Sequence, residues 1–145
     1  MELQITLLQN KGMPPRYAHA TDAGLDLYLP ASLRLNPHER KTIGLCFAMA
    51  LPSGTVGLIR DKSSWPSKKG LALLGGVIDQ GYRGEVKIIL LNTTSALIEI
   101  EAGAPIAQLL IVPIHHPTVM VVDQLDETSR GVGGFGSTHE VTRTA

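Results

Sequence analysis

The sequence predicts an all-β fold, a jelly-roll-like β-sandwich or barrel that carries one short helix. Apolar and small residues alternate over many short stretches, most clearly from Ile43 to Leu51. This two-residue period is typical of half-buried strands. Turn signals such as Asn36–Pro37 and Pro52–Gly54 separate these stretches at close intervals. The only segment with the start and stop residues of a helix is Asp61–Gly70.

The predicted strands outside the central region are short and follow one another closely. They cover Leu3–Leu7, Leu25–Leu29, Ile43–Leu51, Thr55–Arg60, Ile98–Glu101, Ile106–Val112 and Val119–Val122. In the predicted helix, Ser63 or Ser64 is the N-cap, Pro66 suits the first turn and Gly70 suits the stop. The helix is therefore expected to have about two turns.

The central stretch, Leu71–Asn92, predicts a β-hairpin, because apolar residues lie on both sides of a short polar tip. The tip presents Asp79, Tyr82 and Arg83. A carboxylate, a phenol and a guanidinium held by rigid strands suit a small polar ligand. An aspartate beside glycine is also ordinary turn chemistry, and the spacing alone does not separate the two interpretations. The returning strand contains four successive apolar residues, Ile88–Leu91, which predicts cover on both faces, and a partner subunit is a reasonable cover.

Length, charge and cysteine content narrow the function classes. The 145 residues predict about one domain. With 13 basic and 13 acidic residues, the formal net charge is zero, and the broad positive surface of a protein that binds nucleic acid or anionic membranes is not expected. Cys46 is the single cysteine, so no intrachain disulfide is expected, and its alternating segment predicts a small packed thiol. The sequence contains neither a signal peptide nor an apolar run near the roughly 18 residues of a membrane span, which predicts a cytoplasmic protein.

The composition changes near the C-terminal end of the chain. From Thr128 the sequence is rich in glycine, and Phe135 is its one large apolar side chain. Such a segment buries too little surface to fold alone. We therefore predict a β core at residues 1–127 and a flexible arm at residues 128–145.

Five short motifs, in order, resemble those of the trimeric deoxyuridine triphosphatase (dUTPase) family. They are ATDAGLDL at Ala20–Leu27, DKSS at Asp61–Ser64, GVIDQGYRG at Gly76–Gly84, GAPIAQL at Gly103–Leu109 and RGVGGFGST at Arg130–Thr138. Each motif alone is weak, but five in order span most of the chain. The resemblance implies a Mg²⁺-assisted enzyme that cleaves dUTP to dUMP and pyrophosphate, which limits uracil in DNA and supplies dUMP for dTMP synthesis. It also implies a homotrimer with active sites at the subunit interfaces.

The resemblance assigns the water, the sugar and the base to the third motif. Asp79 matches the catalytic aspartate, which orients and deprotonates the water that attacks the α-phosphorus. Tyr82 matches the tyrosine that lies under the deoxyribose, where a 2′-hydroxyl would clash. The backbone of Gly76, Val77 and Ile78 is expected to read the uracil edge. Lys87, on the returning strand, is expected to contribute its backbone.

The resemblance also assigns residues to the triphosphate and to the metal. The expected phosphate contacts are Lys62, Ser63, Ser64, Gln108 and Arg130, with Gly136, Ser137 and Thr138 around the γ-phosphate. The serines also lie at the predicted start of the helix, where backbone N–H groups favour an anion. Phe135 is expected to stack on the uracil as the arm orders over the substrate. Asp26 matches the aspartate that holds waters of the Mg²⁺ ion.

The sequence departs from the family pattern at three places, and two other functions compete with dUTP hydrolysis. Lys62 replaces the usual arginine, which gives a point charge without a bidentate fork. Ala104–Pro105 replaces a frequent Asp-Arg pair, and His139 stands where glycine is common.

One alternative is a dCTP deaminase of the same fold, for which Glu85 is the nearby acid/base candidate. The other is a nucleotide-sensing module that has lost turnover.

Overall fold

The computed structural model describes residues 1–8, 10 and 12–134, and within them the chain is almost entirely β. The described elements, in chain order, are β1 (Gln4–Leu7), β2 (Leu25–Tyr28), β3 (Leu33–Leu35), β4 (Arg40–Ala50), β5 (Thr55–Asp61), α1 (Ser64–Lys69), β6 (Leu71–Leu74), β7 (Val77–Ile78), β8 (Glu85–Asn92), β9 (Ile98–Ile100) and β10 (Pro105–Pro113). The predicted all-β class with one short helix is confirmed.

The strands form two four-stranded sheets and one small ribbon, and every pairing is antiparallel. The first sheet has the order β1-β4-β8-β6, and the second has the order β2-β10-β5-β7. The ribbon pairs β3 with β9. Consecutive strands thus alternate between sheets, so that residues distant in sequence meet at the sheet ends.

A single apolar core lies among these sheets. Its buried members are Leu27, Leu29, Leu35, Leu45, Phe47, Met49, Leu51, Ile59, Leu71, Val86, Ile88, Leu90, Ile98, Ile100, Ile106, Ala107 and Leu109. They come from all three sheets, and most of them alternate with outward residues, as the two-residue period predicts. Burial of this apolar surface is the main stabilising term for a chain without disulfides.

Strand β8 is an inner strand of the first sheet, because β4 and β6 both pair with it. Val86, Ile88 and Leu90 point into the core and are at most 2% exposed. Ile89 and Leu91 point to the opposite face, where they are half-buried. Within the single chain, the predicted cover on both faces of β8 is therefore complete only on the face that points into the core.

Helix α1 confirms most of the predicted helix signals. Gly70 has φ 62°, and its N–H donates to Pro66 O at 3.2 Å, which ends the helix in a left-handed cap. Pro66 lies in the first turn, as predicted. The predicted serine cap is wrong in its chemistry: Ser63 occupies the N-cap position but has helical φ and ψ angles and makes no side-chain capping bond.

Two further differences concern short strands. The prediction of a strand at Val119–Val122 is wrong, since these residues have no strand pairing and three of them are at least 80% exposed. A strand needs a neighbouring backbone, and apolar character alone does not supply one. Strand β3 was not predicted, because Leu33–Leu35 is too short to show the two-residue alternation of a strand.

The chain divides into two compact units, Met1–His115 and His116–Ala145. All of the described strands and the helix belong to the first unit. In the second unit, turns lie near residues 128–133: Gly131 N–H donates to Thr128 O at 3.0 Å, and Gly133 N–H donates to Arg130 O at 3.0 Å. Among the described residues, no helix is both long and apolar enough to cross a membrane.

Candidate functional site

The central hairpin exists, but its tip is held differently from the prediction. Strand β6 pairs with β8 from Leu71 opposite Asn92 to Leu74 opposite Ile89. The chain then leaves the first sheet, and β7 pairs with β5 of the second sheet. The expectation that the two strands of one hairpin hold the tip is therefore wrong. The strand before the tip, β7, belongs to the second sheet, and the strand after it, β8, belongs to the first.

Two glycines make this crossing. Gly75 has φ 70° and Gly76 has φ 102°, a region that other residues rarely adopt. At Gly76 the backbone also approaches β5 closely: Ile59 N–H donates to Gly76 O at 2.7 Å, and a Cβ on Gly76 would lie 2.5 Å from Ile59 O. As a result, β6 ends opposite Ile89, and the first half of β8 has no β6 residue opposite it.

A cavity of about 180 Å³ lies where the chain crosses between the sheets. We call it the hairpin cavity, and its lining residues are Val77, Ile78, Asp79, Tyr82, Glu85 and Lys87. Four of these six residues were predicted to bind substrate, Asp79 was predicted to be catalytic, and Glu85 is the acid/base candidate of the alternative deaminase. The cavity is therefore lined by two acidic residues, one tyrosine and one lysine, and two of these residues belong to the part of β8 that has no β6 partner.

Tyr82 lines the hairpin cavity and is fixed by its hydroxyl. Its hydroxyl donates to Glu85 O at 2.9 Å. The ring folds tightly over Gly84, where a Cβ would lie 2.5 Å from the phenolic oxygen. Only glycine leaves this space, and 42% of Tyr82 remains exposed. A ring that is anchored at its hydroxyl can present a face to a ligand.

Arg83 does not join Asp79 and Tyr82 in the cavity, so the sequence grouping of these three side chains is wrong for the arginine. Its Nη1 donates to Gln80 O at 2.7 Å and to Tyr82 O at 2.8 Å. Arg83 instead lines a separate recess against β1 and β4. Its role is to hold the tip loop by satisfying two carbonyls.

The tip loop is also tied to the turn between β4 and β5. Gly54 N–H donates to Gln80 Oε1 at 3.0 Å, and Tyr82 N–H donates to Asp79 O at 3.0 Å. Asp79 itself is exposed, with its side chain at the cavity. These bonds fix the backbone that carries Asp79 while its carboxylate stays accessible to solvent and ligand.

A second group of polar side chains lies within β2 and β10 and directly after β5. Asp26 on β2 stands opposite Gln108 on β10. Lys62, directly after β5, donates from Nζ to Asp26 Oδ1. Gln108 Nε2 donates to Asp61 O at 2.8 Å. We call Asp26, Lys62 and Gln108 the polar triad, and it brings the first, second and fourth motifs into contact.

Several backbone contacts hold the polar triad in place. Asp26 N–H donates to Arg16 O at 2.8 Å, and Asp61 Oδ1 accepts from Leu73 N–H at 2.8 Å. Gly24 leaves the space for Gln108, since a Cβ there would lie 2.9 Å from Gln108 Oε1. Asp26 is only 6% exposed, so its charge depends on Lys62 for compensation.

The start of α1 lies beside the polar triad in sequence, and its two serines are exposed. Trp65 fixes this helix to the second sheet, because its Nε1 donates to Pro105 O at 2.9 Å. The acceptor is the backbone carbonyl of Pro105, one of the two residues that replace the frequent family pair. Ser63 and Ser64 are the two residues that directly precede this anchor.

The remaining predicted residues belong to the second unit. Arg130 lies in a turn, and its Nε donates to Gly133 O at 3.0 Å. Phe135, Gly136, Ser137 and Thr138 lie outside the described residues. The structure thus groups most of the predicted residues of the first unit into the hairpin cavity and the polar triad, while Ser63 and Ser64 lie at the start of α1 and Gly76 precedes the cavity.

Sequence reasoning missed three supporting residues, namely Asp61, Trp65 and Gln80. Asp61 was visible as the first residue of the DKSS match, but nothing marked its carboxylate as a partner of β6. Trp65 and Gln80 act through single bonds to Pro105 and Gly54, which are remote in sequence. No periodic or motif signal points to such contacts.

Known proteins of one family are similar to this chain over most of its length. The dUTPase family model matches residues 10–139. The deoxyuridine 5'-triphosphate nucleotidohydrolase of Picosynechococcus sp. is 39% identical over 140 residues, which cover 95% of this chain and 99% of that protein. That of Nocardia farcinica is 46% identical over 130 residues, covering 87% of this chain and 79% of that protein.

Two groups of solved structures are also similar. A mutant of the Staphylococcus bacteriophage 80alpha dUTPase with dUpNHpp has a TM-score of 0.90 and 31% identity, and the match covers 94% of this chain and 98% of that chain. A mutant dUTPase from phage phi11 of S. aureus, described with a structural Mg(II) ion, has a TM-score of 0.82 and 29% identity over 88% of this chain and 100% of that chain. With a family match over nearly the whole chain and relatives of similar length, the chain belongs to the dUTPase family.

Proposed function

We propose that this chain hydrolyses dUTP to dUMP and pyrophosphate, with Asp79 activating the water that attacks the α-phosphorus. The observation that carries the proposal is the hairpin cavity, which places the Asp79 carboxylate and the Tyr82 ring beside an open strand edge. Membership of the dUTPase family and the activity named for the relatives support the same reaction. Such an activity limits uracil incorporation into DNA and supplies dUMP for dTMP synthesis.

The uracil ring is proposed to bind at the open edge of β8. Backbone N–H and C=O groups on this edge, with those of Val77 and Ile78 across the cavity, offer donors and acceptors at fixed positions. A base that pairs with rigid backbone is read by its hydrogen-bonding pattern. Gly76 supports this arrangement because its close approach to β5 fixes the backbone position of the next residue, Val77. Lys87 contributes its backbone from the β8 side.

The deoxyribose is proposed to lie on the ring of Tyr82. The hydroxyl of Tyr82 is already engaged with Glu85 O, so the ring plane is set before substrate arrives. A flat apolar face against the sugar leaves little room for a 2′-hydroxyl and offers it no partner. A ribonucleotide would then lose hydration of that hydroxyl without compensation, which disfavours it.

The hydrolytic water is proposed to bind the Asp79 carboxylate. Asp79 is exposed at the cavity, and the bonds of the tip loop hold its backbone. A carboxylate in this position accepts a proton from water as the oxygen attacks phosphorus. The α-phosphorus–oxygen bond to the β-phosphate breaks, pyrophosphate leaves, and the attacking oxygen stays on dUMP.

The triphosphate is proposed to extend toward the polar triad and the start of α1. Lys62 and the exposed hydroxyls of Ser63 and Ser64 supply charge and donors, and Gln108 presents an amide. Lys62 already neutralises Asp26, so it acts on phosphate as a point charge that is shared with a carboxylate. The fork geometry of an arginine is not available at this position.

Mg²⁺ is proposed as the cofactor, and Asp26 fits the role of holding its waters. Lys62 bonds Oδ1, and the described residues make no hydrogen bond to Oδ2. The described residues form no group of three or more metal-ligating side chains, so a closed protein cage is not the expected arrangement. Magnesium commonly keeps several waters and binds through phosphates with one or two carboxylates. When bound, it neutralises phosphate charge.

The C-terminal arm, residues 128–145, is proposed to close over the bound nucleotide. Arg130 would pair with the terminal phosphate, Phe135 would stack on uracil, and Gly136, Ser137 and Thr138 would surround the γ-phosphate. Closure of such a segment excludes bulk water from the reaction. We also propose a homotrimer with active sites at subunit interfaces, supported by the half-buried outer face of β8. We also propose a cytoplasmic location for the protein.

Deamination of dCTP is the second candidate function, because Glu85, its acid/base candidate, lines the hairpin cavity. One oxygen of its carboxylate accepts from Cys46 N–H at 3.0 Å, however, and this bond competes with service as an acid and base. Hydrolysis of dUTP is therefore the better-supported reaction.

The test measures pyrophosphate and ammonia release from dUTP and from dCTP, with Mg²⁺ and with EDTA. We expect pyrophosphate from dUTP in the presence of Mg²⁺ and no ammonia from dCTP. Release of ammonia would support the deaminase. Tight dUTP binding without either product would identify a nucleotide-sensing module.

A further inference from the structure

Glu85 connects three features of the first sheet that no sequence motif links. Its side chain reaches β4, its main chain carries the anchor of Tyr82, and it forms part of the cavity wall. These roles differ from those of Asp79, which is exposed and holds no strand. The contacts of Glu85 therefore influence the position of the Tyr82 ring, on which the deoxyribose is proposed to lie.

The first contact is with an irregular part of β4. Gly44 stands opposite Lys87, and Ala48 stands opposite Glu85, so three residues of β4 occupy the space of one residue of β8. Inside this bulge Cys46 has φ 57°, a conformation that residues other than glycine seldom adopt. Such a conformation persists only where the surroundings hold it.

The Glu85 carboxylate provides that hold. Cys46 N–H donates to Glu85 Oε1 at 3.0 Å. The carboxylate also lies flat against Gly44, where a Cβ would be 2.3 Å from Oε1 and 2.7 Å from Oε2. Gly44 leaves space for the carboxylate because it has no side chain, and the positive φ of Cys46 accompanies an N–H that donates to it. The bulge therefore forms a binding position for this one carboxylate.

The second contact is through the main chain of the same residue. Glu85 O accepts the hydrogen bond of the Tyr82 hydroxyl at 2.9 Å, and this is the bond that sets the tilt of the ring. Since the side chain fixes Glu85 to β4, the bulge, Glu85 and the Tyr82 ring form one connected chain of contacts. A shift of Glu85 moves the ring relative to the cavity wall.

We infer that Glu85 is a positioning residue for sugar selection: its carboxylate, seated in the β4 bulge, fixes the Tyr82 ring at the distance that accepts deoxyribose and refuses ribose. The role needs a hydrogen-bond acceptor and does not need a proton donor or a charge. The inference rests on the proposed hydrolysis of dUTP, because it assigns the selectivity of that reaction.

The test compares kcat and KM for dUTP and for UTP in the full chain. The ratio of the two kcat/KM values is independent of how much of the protein is folded, so a merely structural defect does not change it. For Glu85→Ala we expect this ratio to fall by roughly tenfold, within the hundredfold that a displacement of about 1 Å can cost. The loss should appear mainly as a raised KM for dUTP, since Asp79 remains in place.

Three further variants isolate the carboxylate. Glu85→Gln keeps an oxygen for Cys46 N–H and should retain the wild-type ratio. Gly44→Ala places a methyl group where the carboxylate lies, so it should displace Glu85 and lower the ratio even though Glu85 is present. Glu39→Ala is the matched control, because Glu39 Oε2 accepts Asn36 N–H at 2.7 Å in a turn that does not line the cavity. Its ratio should stay unchanged.

The outcomes separate this inference from the function on which it rests. If the wild-type chain releases no pyrophosphate from dUTP, the proposed function fails. If the wild type is active and selective but Glu85→Ala keeps the full ratio, the positioning role is wrong. An equal loss in Glu85→Gln and Glu85→Ala would also overturn it, because the charge would then matter. Should Glu85→Ala not fold, an unchanged ratio in Gly44→Ala contradicts the inference.

Discussion

Lys62 donates a hydrogen bond to Asp26, and this contact joins the end of β5 to the buried middle of β2. The side chain of Asp26 is 9% exposed and that of Lys62 is 28% exposed. A carboxylate this well buried loses most of its hydration, and the ammonium replaces part of it. The lysine that departs from the family pattern therefore has a structural partner, and this partner is the residue proposed to hold the waters of the metal.

Removal of Lys62 should destabilise the fold because it leaves the Asp26 carboxylate without its counter-charge. We expect Lys62→Met to lower the free energy of unfolding by about 2 kcal/mol, the order of cost for a buried acceptor that loses its partner. The midpoint of urea unfolding measures the change. The double variant Asp26→Asn with Lys62→Met should recover part of the loss, since the two residues are coupled.

The control for this ion pair is an exposed pair on the ribbon. Arg34 Nε lies 3.0 Å from Glu99 Oε1, with side chains that are 70% and 64% exposed. Arg34→Met should change stability by less than about 1 kcal/mol, because solvent screens such pairs. Equal losses in Lys62→Met and Arg34→Met would show that burial of Asp26 does not determine the effect.

Trp65 should position α1 through its single hydrogen bond to the start of β10. Trp65→Phe keeps an aromatic ring but removes the N–H that Pro105 O accepts. We expect a loss of about 1 kcal/mol in stability, typical of one hydrogen bond. Because Ser63 and Ser64 precede the tryptophan directly, the variant should also raise KM for dUTP with a smaller effect on kcat.

The control for Trp65 lies on the same helix. Lys68→Met changes an exposed residue in the last turn of α1 and leaves the indole bond intact. Its KM should stay near the wild-type value. A KM for Trp65→Phe that equals the wild type, together with an unchanged unfolding midpoint, would remove the anchoring role of the indole.

The parts of the fold that sequence reasoning predicted are those with a local signal. The alternation from Ile43 to Leu51 predicted β4, and Gly70 predicted the end of α1 through its left-handed cap. The wrong predictions depend on tertiary partners. Val119–Val122 is as apolar as a strand but has no strand pairing, and the two residues of β7 join β5 instead of their own hairpin.

The candidate site divides in the same way. Motif positions identified Asp79 and Tyr82, and the structure brings both to the hairpin cavity. The spacing of residues could not reveal that Arg83 turns to the carbonyls of Gln80 and Tyr82, because a long side chain reaches either side of a turn. Contacts between motifs, such as that of Lys62 with Asp26, depend on the order of strands in the sheets and have no local signature.

Asp79 should be required for turnover and dispensable for binding. Asp79→Asn keeps the size and shape of the side chain but removes the basic carboxylate, so we expect kcat to fall by about 10²- to 10⁴-fold, the range for loss of a general base. The dissociation constant for dUTP should change little. Pyrophosphate release and calorimetric titration measure the two quantities.

The matched control for Asp79→Asn is Gln80→Glu, which changes the neighbouring residue and leaves Asp79 in place. Gln80 Oε1 accepts Gly54 N–H at 3.0 Å, and a glutamate oxygen can accept the same bond. This variant should keep most of the wild-type kcat. Full turnover in Asp79→Asn would mean that another group activates the water.

Truncation before Arg130 should separate catalysis from folding. All of the described strands lie in the unit Met1–His115, so a chain of residues 1–129 should keep the core and the hairpin cavity. The truncated chain loses Arg130 and Phe135 together, and the proposed closure over the nucleotide is lost with them. We expect an unfolding midpoint within experimental error of the full chain and a sharply reduced kcat/KM for dUTP. Arg130→Ala in the full chain should reproduce part of this loss, because one phosphate contact disappears while the rest of the arm remains. A truncated chain that cleaves dUTP at the full rate would show that the hairpin cavity and the polar triad suffice without the arm.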